Sequence, residues 1–435
     1  MEMYQNPGKR AYHMAEKIFP ICRSIMGKGV RKTLHILDDY ISQSEGIHFN
    51  IYEVPSDTSV FDWIIPKEWV IREAYIDDES GNRIIDMKNN NLHVLGYSGS
   101  IDKWVDLAEL KEHIFTQPEQ PEAIPYVTSY YKEQYGFCMS QEQLDTLPDG
   151  KYHMYIDSEF IDGNLTYAEI NLAGKSDEAV LITSYICHPS MANNECSGPA
   201  LLAELVRYVN KMKNRHYTYI FVLNPETIGS LTYLQQKYQY LKEHLAVGAV
   251  LSCVGDDRGY SLIHTRYADT LADKSLANIL SNRKGFHEYS FLERGSDERQ
   301  YNAPGIDLPV VGFCRTKYGE YSEYHTSADD MGMISPAGFQ GSFEVMTEWL
   351  NALEHNHKYK IKILGEPQLG KRGLYPNISR RGGYEEVAAI KDFIAYADGS
   401  NDLIDLSDII GVPVKELINI AKKLEEEGLL DKCDC

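Results

Sequence analysis

The chain has 435 residues and a formal charge of −21, with 43% hydrophobic side chains. That length exceeds one ordinary core, so two or three domains are expected of a soluble globular protein. The acid excess excludes tight nonspecific binding of nucleic acid over the whole surface, because phosphate contact needs clustered Lys and Arg. No run of 18 apolar residues occurs, and the first residues lack a signal peptide's basic start and apolar middle. The expected location is therefore the cytoplasm, with no membrane partner. Eight cysteines are scattered along the chain, several inside apolar runs, as suits reduced and buried thiols. The terminal Cys433 and Cys435 lack the further ligands a metal would need.

Apolar residues at helical spacing (Met14, Ile18, Ile21, Ile25, then Leu34, Leu37, Ile41) predict two helices over residues 9–43, separated near Gly27. From about Phe49 to Asn164 short β-rich runs alternate with Asp-, Asn- and Gly-rich turns, which predicts an inserted β-rich domain. The continuous apolar run Ala179–Ile186 reads as a strand buried on both faces, stopped by Pro189. A polar loop then leads into a helix opened by Ser197 and Gly198, with Leu201, Leu202, Leu205, Val206 and Val209 on one side.

Alternation continues with strands at Tyr217–Leu223, Val247–Val254 and Leu308–Cys314, and helices at Leu231–Leu245, Asp269–Asn282 and Pro336–Leu353. This pattern predicts an α/β fold: a mixed, mostly parallel sheet sandwiched by helices. Its domains are residues 1–48 with 165–356, the insert 49–164, a linker 357–383, and a small unit 384–435. Helices at Glu385–Ala397, Leu403–Ile410 and Val414–Gly428 make that last unit resemble a winged helix-turn-helix. Its final helix balances Lys415, Lys422 and Lys423 against Glu416, Glu425, Glu426 and Glu427. Packing, self-association or contact with a protein partner is expected there, not DNA binding.

Four turns at predicted strand ends carry polar residues: His188 to Glu195, Asn224 to Ser230, Val254 to Asp257, and Glu323 to Asp330. A fifth, Ser296 to Arg299, precedes the strand ending at Cys314. Each alone reads as an ordinary capped turn, since carboxylates favour helix N-termini and most histidines are structural. Together they bring two histidines and several carboxylates to one sheet edge. Imidazole and carboxylate suit zinc, and a further carboxylate, Glu226, is placed to act as general base.

The motifs His188–Gly198, Pro225–Ser230, Gly295–Glu298 and Tyr324–Asp329 resemble the zinc aminopeptidases of the leucyl aminopeptidase and glutamate carboxypeptidase group. The chain is similar in particular to a bacterial subfamily of aminopeptidase-like proteins with an early β-rich insert and a C-terminal winged helix. Members of that subfamily are associated with polysaccharide biosynthesis. The resemblance implies that His188 and His325 bind metal and that Glu226 is the base. Three positions depart from the two-zinc pattern: Asn194-Glu195 replace the bridging aspartate's motif, Thr227 replaces a liganding glutamate, and Ser252 falls near a third carboxylate, with Asp256 close by. One zinc is therefore expected over two, held by His188, Glu195 and His325, with a small peptide or amide as substrate. Asn194 and Tyr324 would face that substrate, Glu298 or Asp297 would receive its amine, and Arg315, Arg372 or Arg381 a terminal carboxylate. The competing expectation is a noncatalytic binding or regulatory protein on a peptidase scaffold.

Overall fold

The computed structural model describes residues 6–130, 132–374 and 387–433. Its largest sheet has eight strands, in spatial order Asn50–Pro55, Asn164–Leu172, Thr218–Asn224, Ala179–Tyr185, Leu245–Leu251, Val310–Cys314, Tyr260–Ile263 and Phe286–Tyr289. The middle four run parallel, with Leu181 opposite both Ile220 and Gly248. Antiparallel pairing appears only towards the edges, where 50–55 meets 164–172, 164–172 meets 218–224, and 260–263 meets 310–314.

The period of two along a strand decides the layering. Val180 and Ile182 enter one apolar cluster, while Ala179 and Leu181 enter another. The first cluster takes Ile18, Leu37, Leu205, Leu276 and Trp349 from five helices on one face. The second takes Leu231, Leu234 and Leu241 from the helix Ile228–His244 on the other. Burial on both faces is why these strands are continuously apolar. Gly198 lets the helix Ser197–Lys211 approach this sheet closely: a Cβ there would lie 2.1 Å from Ser184 Oγ and 2.7 Å from Leu251 O.

Two boundaries differ from the sequence reading. Strand 50–55, assigned to the insert, pairs with 164–172 and forms the edge of the main sheet. The insert's own sheet has four strands, ordered 83–86, 68–78, 151–161 and 101–106. Likewise Lys358–Ile361, read as linker, pairs antiparallel with Leu430–Cys433 and belongs to the C-terminal unit. Four-residue strands with one buried position carry too little periodicity to be read from sequence.

The C-terminal unit contains the helices Ala388–Tyr396, Leu403–Ile410 and Val414–Glu426. Its buried Leu403, Leu406 and Leu417 join the first apolar cluster, and Asn278 Nδ2 donates to Asp408 Oδ1 at 2.6 Å. Among the described residues no helix is long and apolar enough to cross a membrane.

Candidate active site

The four parallel strands end at Asn224, Tyr185, Leu251 and Cys314 on one edge of the sheet, where open α/β folds bind ligands. After Tyr185 the chain passes His188 and enters a single π-helical turn, Ala192–Cys196, that feeds the helix 197–211. Such turns are rare and cluster at functional sites. Asp329 holds this one, accepting from Asn193 N at 2.6 Å and Asn194 N at 2.9 Å. Asn193 ties it to the loop after Leu251, accepting from Gly255 N at 2.9 Å and donating to Asp256 at 3.0 Å. Ser190, Thr227, Cys253 and His325 all have φ between +42° and +63°. Left-handed backbone at non-glycine residues is costly and marks places where the surroundings dictate geometry.

At the centre lies His188, whose Nδ1 sits 2.9 Å from Glu195 Oε2 and 3.2 Å from Cys187 Sγ. Its other nitrogen, Nε2, is 3.7 Å from Glu226 Oε2. The His325 ring lies 5.4 Å from the His188 ring, and Tyr324 stacks on it at 3.9 Å. Tyr126, from the insert, packs against both histidines at 5.1 and 5.2 Å and donates its N–H to His325 O. Behind them Arg23 is buried, donating to His188 O at 3.0 Å and lying 3.9 Å from Glu195.

In front of His188 and Glu226 opens a cleft of about 390 Å³. Ile25, Trp63, Ile64 and Ile228 line its apolar side; Thr227, Arg299 and Gln300 line the polar one. Desolvation here pushes the Glu226 carboxyl up to about 7. Burial, with His188 alongside, pushes His325 down to about 3, which keeps its ring neutral and a lone pair available. Among the buried side-chain atoms without a hydrogen-bond partner are His325 Nε2, Asn194 Oδ1 and Glu195 Oε1, and also Arg299 Nε and Glu298 Oε2. Buried polar atoms are ordinarily paired, so an unpartnered group of nitrogen and oxygen donors suits a zinc ion. Cys187, His188 and Glu195 also present ligand atoms within 4.8 Å of one another. Nδ1 of His188 is already engaged within that trio, whereas Nε2 faces Glu226.

Other expected site residues sit elsewhere. Glu298 is buried, and its Oε1 accepts from Gly295 N, Ser296 N and Tyr318 Oη while its Oε2 has no hydrogen-bond partner. Asp297 is committed to Asn224 Nδ2, Thr227 N and Ser230 Oγ, and so fixes the turn that carries Glu226. Both oxygens of Asp297 are thus occupied, whereas Glu298 Oε2 is not. Arg315 is buried against the Tyr260 ring and donates to Gly259 O and Gly338 O, which leaves it unable to receive a substrate carboxylate. Arg372 donates to Gln368 O, and Arg381 lies outside the described residues. Sequence reasoning missed Arg23, Tyr126 and Arg299. Tyr126 falls in the insert and Arg23 between the first two helices, so only tertiary contact joins them to position 188.

Comparison with known proteins extends the fold argument. Residues 12–356 match the family described as "Domain of unknown function (DUF4910)", and residues 357–432 match a winged helix-turn-helix family. A Clostridium acetobutylicum protein named "Putative polysaccharide biosynthesis protein with aminopeptidase-like domain" is 39% identical over 426 residues, covering 97% of this chain and 96% of its own. A crystal structure described as a "putative peptidase" from Clostridium acetobutylicum superposes with a TM-score of 0.90 at 38% identity, covering 98% of this chain and 96% of its own. The zinc aminopeptidase BSAP of Bacillus subtilis shares the fold at a TM-score of 0.56 and 12% identity, over 80% of this chain and 94% of its own. A mixed α/β zinc-peptidase-type fold thus carries a C-terminal winged helix, and the chain belongs to the DUF4910 family.

Proposed function

We propose that this chain is a metal-dependent hydrolase of amide bonds, aminopeptidase-like, with one zinc ion and Glu226 as general base, working in the cytoplasm. One observation supports the reading: His188 and Glu226 line a half-apolar cleft on the sheet's carboxyl edge with His188 Nε2 3.7 Å from Glu226 Oε2, and the His325 ring, its Nε2 unpartnered, lies 5.4 Å from the His188 ring. His188 and His325 would hold the ion, with the unpartnered Asn194 Oδ1 as third donor. Glu195, engaged on His188 Nδ1, sets that ring's tautomer and orientation and so acts through it. With Asn194 and Thr227 both neutral, too little negative charge remains for two adjacent dications. A bound zinc supplies Lewis acidity towards water and a scissile carbonyl.

The remaining work falls to this chain's own side chains. Glu226 Oε2 takes a proton from water in the cleft and returns it to the leaving amine, and a carboxyl raised to about 7 suits both transfers near neutrality. Tyr324, fixed against His325, offers its hydroxyl to the developing oxyanion. The relative's association with polysaccharide biosynthesis supports an amide of a peptide or of an acylated amino sugar as substrate. The test is a panel of aminoacyl p-nitroanilides and N-acyl amino sugars with wild type, Glu226→Gln and His188→Ala. Turnover equal in all three would remove this site from the chemistry.

We assign the C-terminal winged helix to packing and protein contact. Its buried leucines face the peptidase-type domain, and its last helix offers little net positive field. Saturable retention of duplex DNA at low salt would overturn that assignment.

A further inference from the structure

Arg299 is the one arginine or lysine lining the cleft among the described residues. Arg10, Arg31, Arg207, Arg258, Arg266 and Arg283 each pair with a carboxylate, as expected in a chain with 64 acidic against 43 basic residues. Arg299 makes no such pair among the described residues. Its Nη2 donates to Thr227 Oγ1 at 2.5 Å, and its buried Nε has no acceptor. A guanidinium with most of its five donors unused is a site waiting for a planar or tetrahedral anion.

Local structure aims it at the chemistry. Thr227 directly follows Glu226 and holds a φ of +63°, which a β-branched residue adopts only under constraint. Asp297 Oδ1 accepts the Thr227 N–H at 2.8 Å while Arg299 takes its hydroxyl, so strained backbone brings general base and guanidinium to the same wall. Ile25, Trp63 and Ile64 line the same cleft and offer apolar contact, while Glu226 and Asp297 both feel the Arg299 charge.

We infer that Arg299 recognises an anionic substituent, a carboxylate or phosphoryl group, on the molecule bound in this cleft, with the apolar wall covering its hydrocarbon part. The inference rests on the cleft being the substrate site. Arg299 thereby sets which amides enter, and a purely structural role in holding Thr227 would lower turnover of acidic and neutral substrates alike.

The test is calorimetric titration of the full-length protein, as purified, with glutarate, methyl phosphate and neutral glutaramide, in wild type, Arg299→Gln and Arg299→Lys. Glutarate or methyl phosphate is expected to bind wild type about tenfold or more tighter than glutaramide. The preference should vanish in Arg299→Gln and return in part in Arg299→Lys; the tighter of the two anions identifies the group. Equal affinity for acid and amide, or a preference that survives Arg299→Gln through carboxylate held on the metal, overturns the inference. A variant-free arm covers a folding failure: phenylglyoxal labelling of Arg299, read by mass spectrometry, should be blocked by glutarate and not by glutaramide, and equal labelling would overturn it. Anion preference without amide hydrolysis would remove the hydrolase reading and leave Arg299 standing. Hydrolysis without anion preference would do the reverse.

Discussion

Replacing Arg23 by methionine tests how the site is held from behind. The guanidinium is almost fully buried and donates to His188 O at 3.0 Å, Ile18 O at 2.5 Å and Cys196 Sγ at 3.2 Å, with Glu195 3.9 Å away. Methionine keeps most of the volume, so cavity formation is minor. It leaves the buried His188 carbonyl without its bond, at about 1–3 kcal/mol, while Ile18 O keeps the N–H of Ile21. It also leaves the Glu195 carboxylate without its buried counter-charge, a change that costs about 3–5 kcal/mol when one partner of such a pair is removed. These terms overlap because Glu195 keeps its bond to His188. A net loss of about 3–5 kcal/mol is therefore expected, with Arg23→Lys intermediate because it keeps the charge and loses the fork. Urea unfolding followed by tryptophan fluorescence and circular dichroism measures it. A loss below about 1 kcal/mol in Arg23→Met would refute the claim that this arginine anchors the site.

Further outcomes follow from the same geometry. Glu226→Gln should cost about 10²–10⁴-fold in turnover with metal content unchanged. Because the Glu226 carboxyl is raised to about 7 and acts ionised, wild-type kcat/KM should fall about tenfold per pH unit below that value; a flat profile would count against Glu226 as base. Glu195→Gln should weaken zinc binding by about 10–100-fold by loosening His188, measured by competition with a chelator, and unaltered affinity would deny it the positioning role. His264 and Asp273 form a pair at 2.9 Å away from the cleft. The bond from Asp273 raises His264, so that contribution is full below the ordinary value of 6.5 and fades as pH rises through the raised one. Burial would raise Asp273, but bonds from His264, Thr265 and Thr270 lower it below 3.8, so its contribution is lost only as pH falls further. Asp273→Asn should thus cost about 1–3 kcal/mol near pH 5.5 and less near pH 9; equal losses would contradict the assignment.

Much of the architecture is legible in the sequence because burial on both faces leaves an unbroken signature. Ala179 to Tyr185 is wholly buried, and Pro189 just beyond it marks where the strand must stop. His188, Glu226 and His325 are each followed or preceded by such a strand, which is why residue type and position sufficed to nominate them. What the chain hides depends on contacts across more than a hundred residues. Arg23 reaches His188 over 165 positions, and Ile124 reaches Ser327 over 203. Nor can residue type tell a free charge from a committed one: Arg315 and Arg299 look alike until one is found capping backbone carbonyls and the other lining the cleft. Glu195 shows the same ambiguity on a smaller scale. Its neighbourhood is legible, but whether it touches a metal or the histidine's far nitrogen depends on the π-helical turn that carries it.

Metal content tests the central claim most directly. Purified wild type analysed by inductively coupled plasma mass spectrometry should carry about one zinc per chain, and His188→Ala with His325→Ala should carry essentially none while keeping its circular dichroism spectrum. Zinc-free wild type that hydrolyses amides, or a folded double variant that retains its zinc, would contradict the account.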